Sequence, residues 1–98
     1  MDRIQAMQMF MRVAEAGSFV RAAETLSLPA STVTSTIKNL EKYLKVRLLN
    51  RTTRRVSLTP EGMQYLAQCR EILALIEHSE STLSESVARP QGRLRVDM

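Results

Sequence analysis

Between residues 31 and 36 the chain carries five hydroxyl side chains, Ser31, Thr32, Thr34, Ser35 and Thr36, followed by the first of a series of bases. A hydroxyl can donate to or accept from the base edges exposed in the major groove of a DNA duplex, and a threonine methyl can touch thymine. Lys38 lies one turn deeper, where a phosphate oxygen is the natural target. Arg51, Arg54 and Arg55 are the kind of side chain that grips a phosphate backbone or enters a narrow minor groove. Charge is segregated in the same sense. From residue 38 to 55, seven bases (Lys38, Lys42, Lys45, Arg47, Arg51, Arg54, Arg55) stand against Glu41 alone, a net +6. From 59 to 88, five glutamates stand against Arg70, a net −4. A basic block suits a polyanion and an acidic block suits protein or solvent, although a basic stretch can also be an ordinary solvated face.

Catalytic chemistry finds no support. Paired carboxylates, a Ser-His-Asp order, a phosphate loop and metal-ligand spacing are all missing, so no catalytic residue, no metal site, no cofactor and no enzyme activity are expected. His78 sits among Glu77, Ser79 and Glu80 without a second ligand, which reads as a solvated helix position. The single cysteine, Cys69, cannot close an internal disulfide, and on an apolar helix stripe it reads as a small buried residue rather than a redox sensor. Met7, Met9 and Met11 fall at helical spacing and read as packing, as do Tyr43 and Tyr65.

These residues need elements to hold them. The 98 residues suffice for one small domain but not two. The longest apolar run is residues 72–76, too short for a membrane span, so a soluble cytoplasmic chain without a signal peptide is expected. Ile4, Met7, Met11 and Ala14 recur at three and four, with Phe10 and Val13 widening the stripe, which predicts a helix capped by Asp2 and ended by Gly17. Ser18 suits the N-cap of a short second helix carrying Phe19, Ala22, Ala23 and Leu26, the alanine pair allowing close helix approach. After Ser27-Leu28-Pro29 a third helix is predicted from Pro29 or Ala30 to Leu44, with Val33, Ile37, Leu40 and Leu44 inward. Its hydroxyl-rich first turns have poor helix propensity, and capping accounts for only one or two of them.

Residues 46–51 and 56–59 alternate in the manner of two short strands joined by a basic tip at 52–55. Thr59-Pro60-Glu61 then reads as N-cap, N1 proline and acidic first turn of a helix reaching about Ala88. At 1.5 Å per residue it would run roughly 40 Å, longer than a core of under sixty residues can cover. Its apolar positions, Met63, Leu66, Cys69, Leu73, Ile76, Leu83 and Val87, therefore call for a partner, and Met63, Leu66, Leu73, Ile76 and Leu83 are the candidate dimer interface. Residues 89–92 break the helix and 93–96 resume a strand-like alternation, as at the start of a further domain. The fold class expected is thus mainly α. It comprises a winged helix-turn-helix of three helices and a two-stranded β wing (1–58), a long dimerisation linker helix (59–88), and a hinge with the first strand of an effector-binding domain (89–98).

The chain also resembles the LysR-type transcriptional regulators over residues 4–96. The resemblance rests on an ordered set of motifs: Phe10 with residues 13–19, then Ala22-Ala23 and Leu26, Ser31-Thr32-Val33-Thr34 with Ile37, Leu40-Glu41, residues 47–51, and residues 58–62. It implies sequence-specific binding of double-stranded promoter DNA by a dimer or dimer of dimers on an interrupted palindrome. It also implies a following domain that takes a small-molecule inducer. The family's base-reading positions fall at Ala30, Ser31, Thr34 and Ser35, with backbone contacts at Ser18, Lys38, Arg51 and Arg54. The chain departs from the family pattern twice. Ser35 stands where many relatives carry Arg, which removes a long guanine reader. Lys45 stands where Gly is usual, so the third helix must end either in a left-handed residue or differently. A competing reading, from the acidic long helix, is a winged-helix module that dimerises or binds protein without touching nucleic acid.

Overall fold

The computed structural model describes residues 2–51 and 55–88. Four helices and one hairpin follow in order: α1 (Arg3–Ala16), α2 (Phe19–Leu26), α3 (Ala30–Leu44), β1 (Leu49–Arg51), β2 (Val56–Leu58) and α4 (Pro60–Ala88). The expected mainly α winged helix-turn-helix with a long following helix is the fold observed.

Local sequence sets the boundaries. The Asp2 carboxylate accepts from the Gln5 amide at 3.2 Å, and Gly17, at φ 67°, ends α1 by donating to the Val13 carbonyl. Ser18 caps α2, its Oγ accepting from the Arg21 amide at 3.3 Å. Pro29 precedes α3 in an extended conformation and makes no side-chain cap. Lys45 ends α3 at φ 59° and Ser27 ends α2 at φ 57°. Both are side chains in the left-handed region, which costs a non-glycine residue roughly 1–2 kcal/mol. Lys45 thus occupies the glycine conformation rather than avoiding it.

The core is built from Ala6, Phe10 and Val13 of α1, Ala22 and Ala23 of α2, and Val33, Ile37 and Leu40 of α3. Leu48 and Leu49 close it from the wing, and Leu66 and Cys69 close it from α4. Phe10 and Tyr65 meet with ring centroids 5.6 Å apart. The first turns of α4 are therefore part of the same core as α1–α3. Leu66, expected on the dimer interface, is only 8% exposed and packs inward, and Leu73 is half-buried against the same cluster. The reason is the helical phase: Leu66, Cys69 and Leu73 share the stripe that the domain needs for itself. Met63 and Leu83 are exposed as expected, and Ile76 is half-buried. Ile72 and Leu75, which the sequence reading left out, are exposed as well.

The hairpin is antiparallel, with Leu49 opposite Leu58, Asn50 opposite Ser57 and Arg51 opposite Val56. The first strand is shorter than expected: the Leu48 carbonyl still accepts from the amide of Thr59, the next residue in register, at 3.0 Å, but the Leu48 amide turns to Glu41 instead of across the hairpin. Thr59 fulfils the predicted cap: its Oγ1 accepts from the Gly62 amide at 2.9 Å and donates to the Arg47 carbonyl at 2.6 Å. A Cβ on Gly62 would overlap the Leu48 carbonyl oxygen, so glycine is what allows α4 to start flush against the wing. The molecule is elongated, 57 × 26 × 21 Å, because α4 runs past the domain. Among the described residues no helix is long and apolar enough to cross a membrane, and no cluster of three or more His, Cys, Asp or Glu could hold a metal. The expected hinge and strand at 89–98 lie outside the described residues.

Candidate nucleic-acid interface

Ser31, Thr34 and Ser35 share one sector of α3, away from its buried stripe. Val33, Ile37 and Leu40 point into the core, while Ser31, Ser35 and Lys38 are exposed and Ala30 and Thr34 are half-buried beside them. With the helix start supplied by Pro29, the serines and Thr34 are not needed as caps. Thr36 turns its hydroxyl back on the Thr32 carbonyl at 2.9 Å. Small side chains along this sector leave the helix narrow there, and a groove about 12 Å wide can take it. At the junction of α1 and α2, Ser18 is half-buried and caps the first turn of α2.

Beyond Lys38 the next turn of α3 brings Glu41 against the base of the wing. One carboxylate oxygen accepts from the Leu48 amide at 2.9 Å and the Leu49 amide at 3.1 Å. The other takes the Arg51 guanidinium at 3.2 Å, the two side chains being 12% and 23% exposed. The same guanidinium lies over the Phe19 ring, 5.3 Å from its centroid. Arg51 is thus brought to the expected basic surface, but pinned between helix and ring rather than extended into solvent. Arg55 is exposed at the start of β2. Arg54, another expected phosphate contact, lies outside the described residues.

Ser18, Ala30, Ser31, Thr34, Ser35, Lys38, Arg51 and Arg55 thus lie on elements that meet around α3 and the wing. The work of Glu41 was not expected from the sequence. The available signal was a single acid in a block of seven bases.

At the far side of the domain, Tyr65 and Cys69 lie together on α4. Burial, with the neighbouring Cys69, pushes the Tyr65 phenol up to about 12. Burial likewise raises the Cys69 thiol above its ordinary value, the Tyr65 hydroxyl opposing this. Neither group is part of the basic surface.

A family model for bacterial regulatory helix-turn-helix proteins of the lysR family matches residues 4–63. An HTH-type transcriptional repressor of Pseudomonas aeruginosa is 50% identical over 97 residues, covering 99% of this chain and 31% of that protein. The HTH-type transcriptional regulator CrgA of Neisseria meningitidis is 45% identical over 93 residues, covering 95% of this chain and 31% of its own length. The chain thus spans about a third of the length of the curated relatives it matches. Among solved structures, the BenM_DBD/catB site 1 DNA complex superposes with a TM-score of 0.83 at 28% identity, over 86% of this chain and 93% of that one. The CbnR_DBD–DNA complex gives 0.82 at 32% identity, over 86% and 97%. Motif order, fold and family model agree, and the chain belongs to the lysR family of bacterial regulatory helix-turn-helix proteins.

Proposed function

We propose that this chain is the DNA-reading part of a cytoplasmic transcriptional regulator and binds double-stranded promoter DNA sequence-specifically, without enzymatic activity. The observation that carries this is the exposed hydroxyl sector of α3 beside a basic wing, on a scaffold that superposes on chains solved with DNA. In this reading α3 enters the major groove, where Ala30, Ser31, Thr34 and Ser35 face base edges. Ser18, Lys38, Arg51, Arg54 and Arg55 face the phosphates. Short side chains make modest base contacts, so a single half-site discriminates weakly and pairing of two copies becomes the source of useful specificity.

The pairing surface is α4. Ile72, Leu75 and Leu83 leave apolar area exposed on one side of α4 that a second copy would cover, giving a dimer or dimer of dimers on an interrupted palindrome. Any small-molecule inducer would act through a further domain following residue 88. Selection of duplexes from a random pool, followed by mobility-shift titration, tests the reading. Lys38→Ala is expected to weaken binding to all sequences and lower the salt slope by about one, whereas Thr34→Ala or Ser35→Ala shifts the preferred sequence. A protein with no preference among duplexes at moderate salt would overturn it.

A further inference from the structure

Glu41 is an anomaly on a surface proposed to meet a polyanion. It is the only acid among the residues from 38 to 55, and its charge works against phosphate binding. Yet its carboxylate is nearly buried and fully engaged, holding the Leu48 and Leu49 amides with one oxygen and Arg51 with the other. Arg51 is in turn sandwiched on Phe19, the first residue of α2. One side chain therefore ties the third helix, the base of the wing and the start of the second helix together.

We infer that Glu41 is a positioning residue for DNA affinity, acting through Arg51: it fixes the guanidinium at the junction of α2 and the wing, where a phosphate can take its outer edge. This rests on the DNA-binding reading above and adds to it a residue that does not itself touch DNA. Without Glu41 the guanidinium has several rotatable bonds and only the Phe19 face to restrain it, so its phosphate contact must be ordered at the moment of binding.

The sign of the effect separates this from simple electrostatics. Removing a negative charge near the duplex would by itself tighten binding, whereas loss of positioning weakens it. The test uses the whole chain and a duplex selected from a random pool, with each variant titrated below its own melting transition. Glu41→Gln is expected to raise Kd roughly three- to tenfold and to flatten the salt slope by about one phosphate contact. Glu41→Asp keeps the charge but shortens the arm by one methylene, and the same direction of change is expected. It stands in should the glutamine variant fail to fold. In an Arg51→Ala background Glu41→Asp is expected to leave Kd unchanged and Glu41→Gln to weaken binding no further, only the charge effect remaining.

Binding as tight as, or tighter than, wild type for a folded Glu41 variant would overturn the proposal. So would lower thermal stability with an unchanged salt slope, which a purely structural role gives, or effects of Glu41 and Arg51 substitutions that simply add. If the wild-type chain itself shows no preference for the selected duplex, the DNA-binding reading has failed, an outcome distinct from any of these.

Discussion

Replacing Gly62 by alanine puts a methyl group where the backbone of Leu48 already stands. The added Cβ would overlap the Leu48 carbonyl oxygen and lie 2.9 Å from its carbonyl carbon and 3.2 Å from its Cα. All three atoms are backbone, so no rotamer change relieves the overlap and α4 must move off the wing. Overpacking of this kind costs about 1–3 kcal/mol. Displacing the first turn also strains the Thr59 amide bond to Leu48 and the Thr59 Oγ1 bonds to Gly62 and Arg47, about 1 kcal/mol for each bond lost. Against this, alanine in place of glycine within a helix stabilises by about 1 kcal/mol. With the overlap near the middle of its range and one or two of these bonds lost, the balance is a loss of about 2–3 kcal/mol, which for a chain of this size lowers the melting temperature by roughly 10–20 °C. Urea unfolding of both proteins at one fixed concentration reads it, the concentration mattering because self-association adds to apparent stability. An alanine variant as stable as wild type, or more so, would refute the tight seating of α4 on Leu48.

Lys45→Gly relieves a left-handed side-chain residue and should raise stability by about 1 kcal/mol in the same urea experiment. Leu66→Ala should destabilise the fold by about 2–5 kcal/mol, because it empties core space, whereas Leu75→Ala should weaken self-association in sedimentation equilibrium and lower apparent stability only by the part that self-association supplies. For Tyr65 the folded phenol holds its proton to about 12 while the unfolded one releases it near the ordinary 10. Its contribution to stability is then whole below pH 10 and is lost as pH rises from there through 12; Tyr65→Phe should flatten that alkaline decline in a series of melts. Cys69, fully buried and with its thiol pushed up, should react with an aromatic disulfide reagent only as fast as the domain opens, so a rapid reaction in the folded state would contradict its placement.

The helices were legible because each carries its own punctuation. Asp2, Gly17, Ser18, Pro29 and Thr59 are local signals, and each acts in the structure at the terminus where its chemistry places it. The hydroxyl sector of α3 was legible for the converse reason, since residues poor in helix propensity at a helix start need a use beyond the helix. What escaped were facts of tertiary phase. Spacing along α4 gives an apolar stripe, but nothing in the spacing says how much of it the chain's own domain consumes; Leu66 went inward, and Ile72 and Leu75 remained outside. Residues 46–48 alternate like a strand, yet the Val46 amide donates back to the Glu41 carbonyl and the Leu48 amide to the Glu41 side chain. Glu41 stood out by its sign, but its partners are seven to ten residues away and known only once the wing is folded back.

The seat of Gly62 on Leu48 also has a mechanical meaning. Downstream of Gly62, α4 contains no proline or glycine through residue 88, so it behaves as a stiff rod of 29 residues clamped at its root. A rod of about 43 Å turning by 5° about that root carries its far end by about 4 Å, more than a base-pair step. For two copies paired along their rods, as proposed above, the gap between their α3 helices would be an angle before it is a distance, and Gly62 lies at the root of that angle.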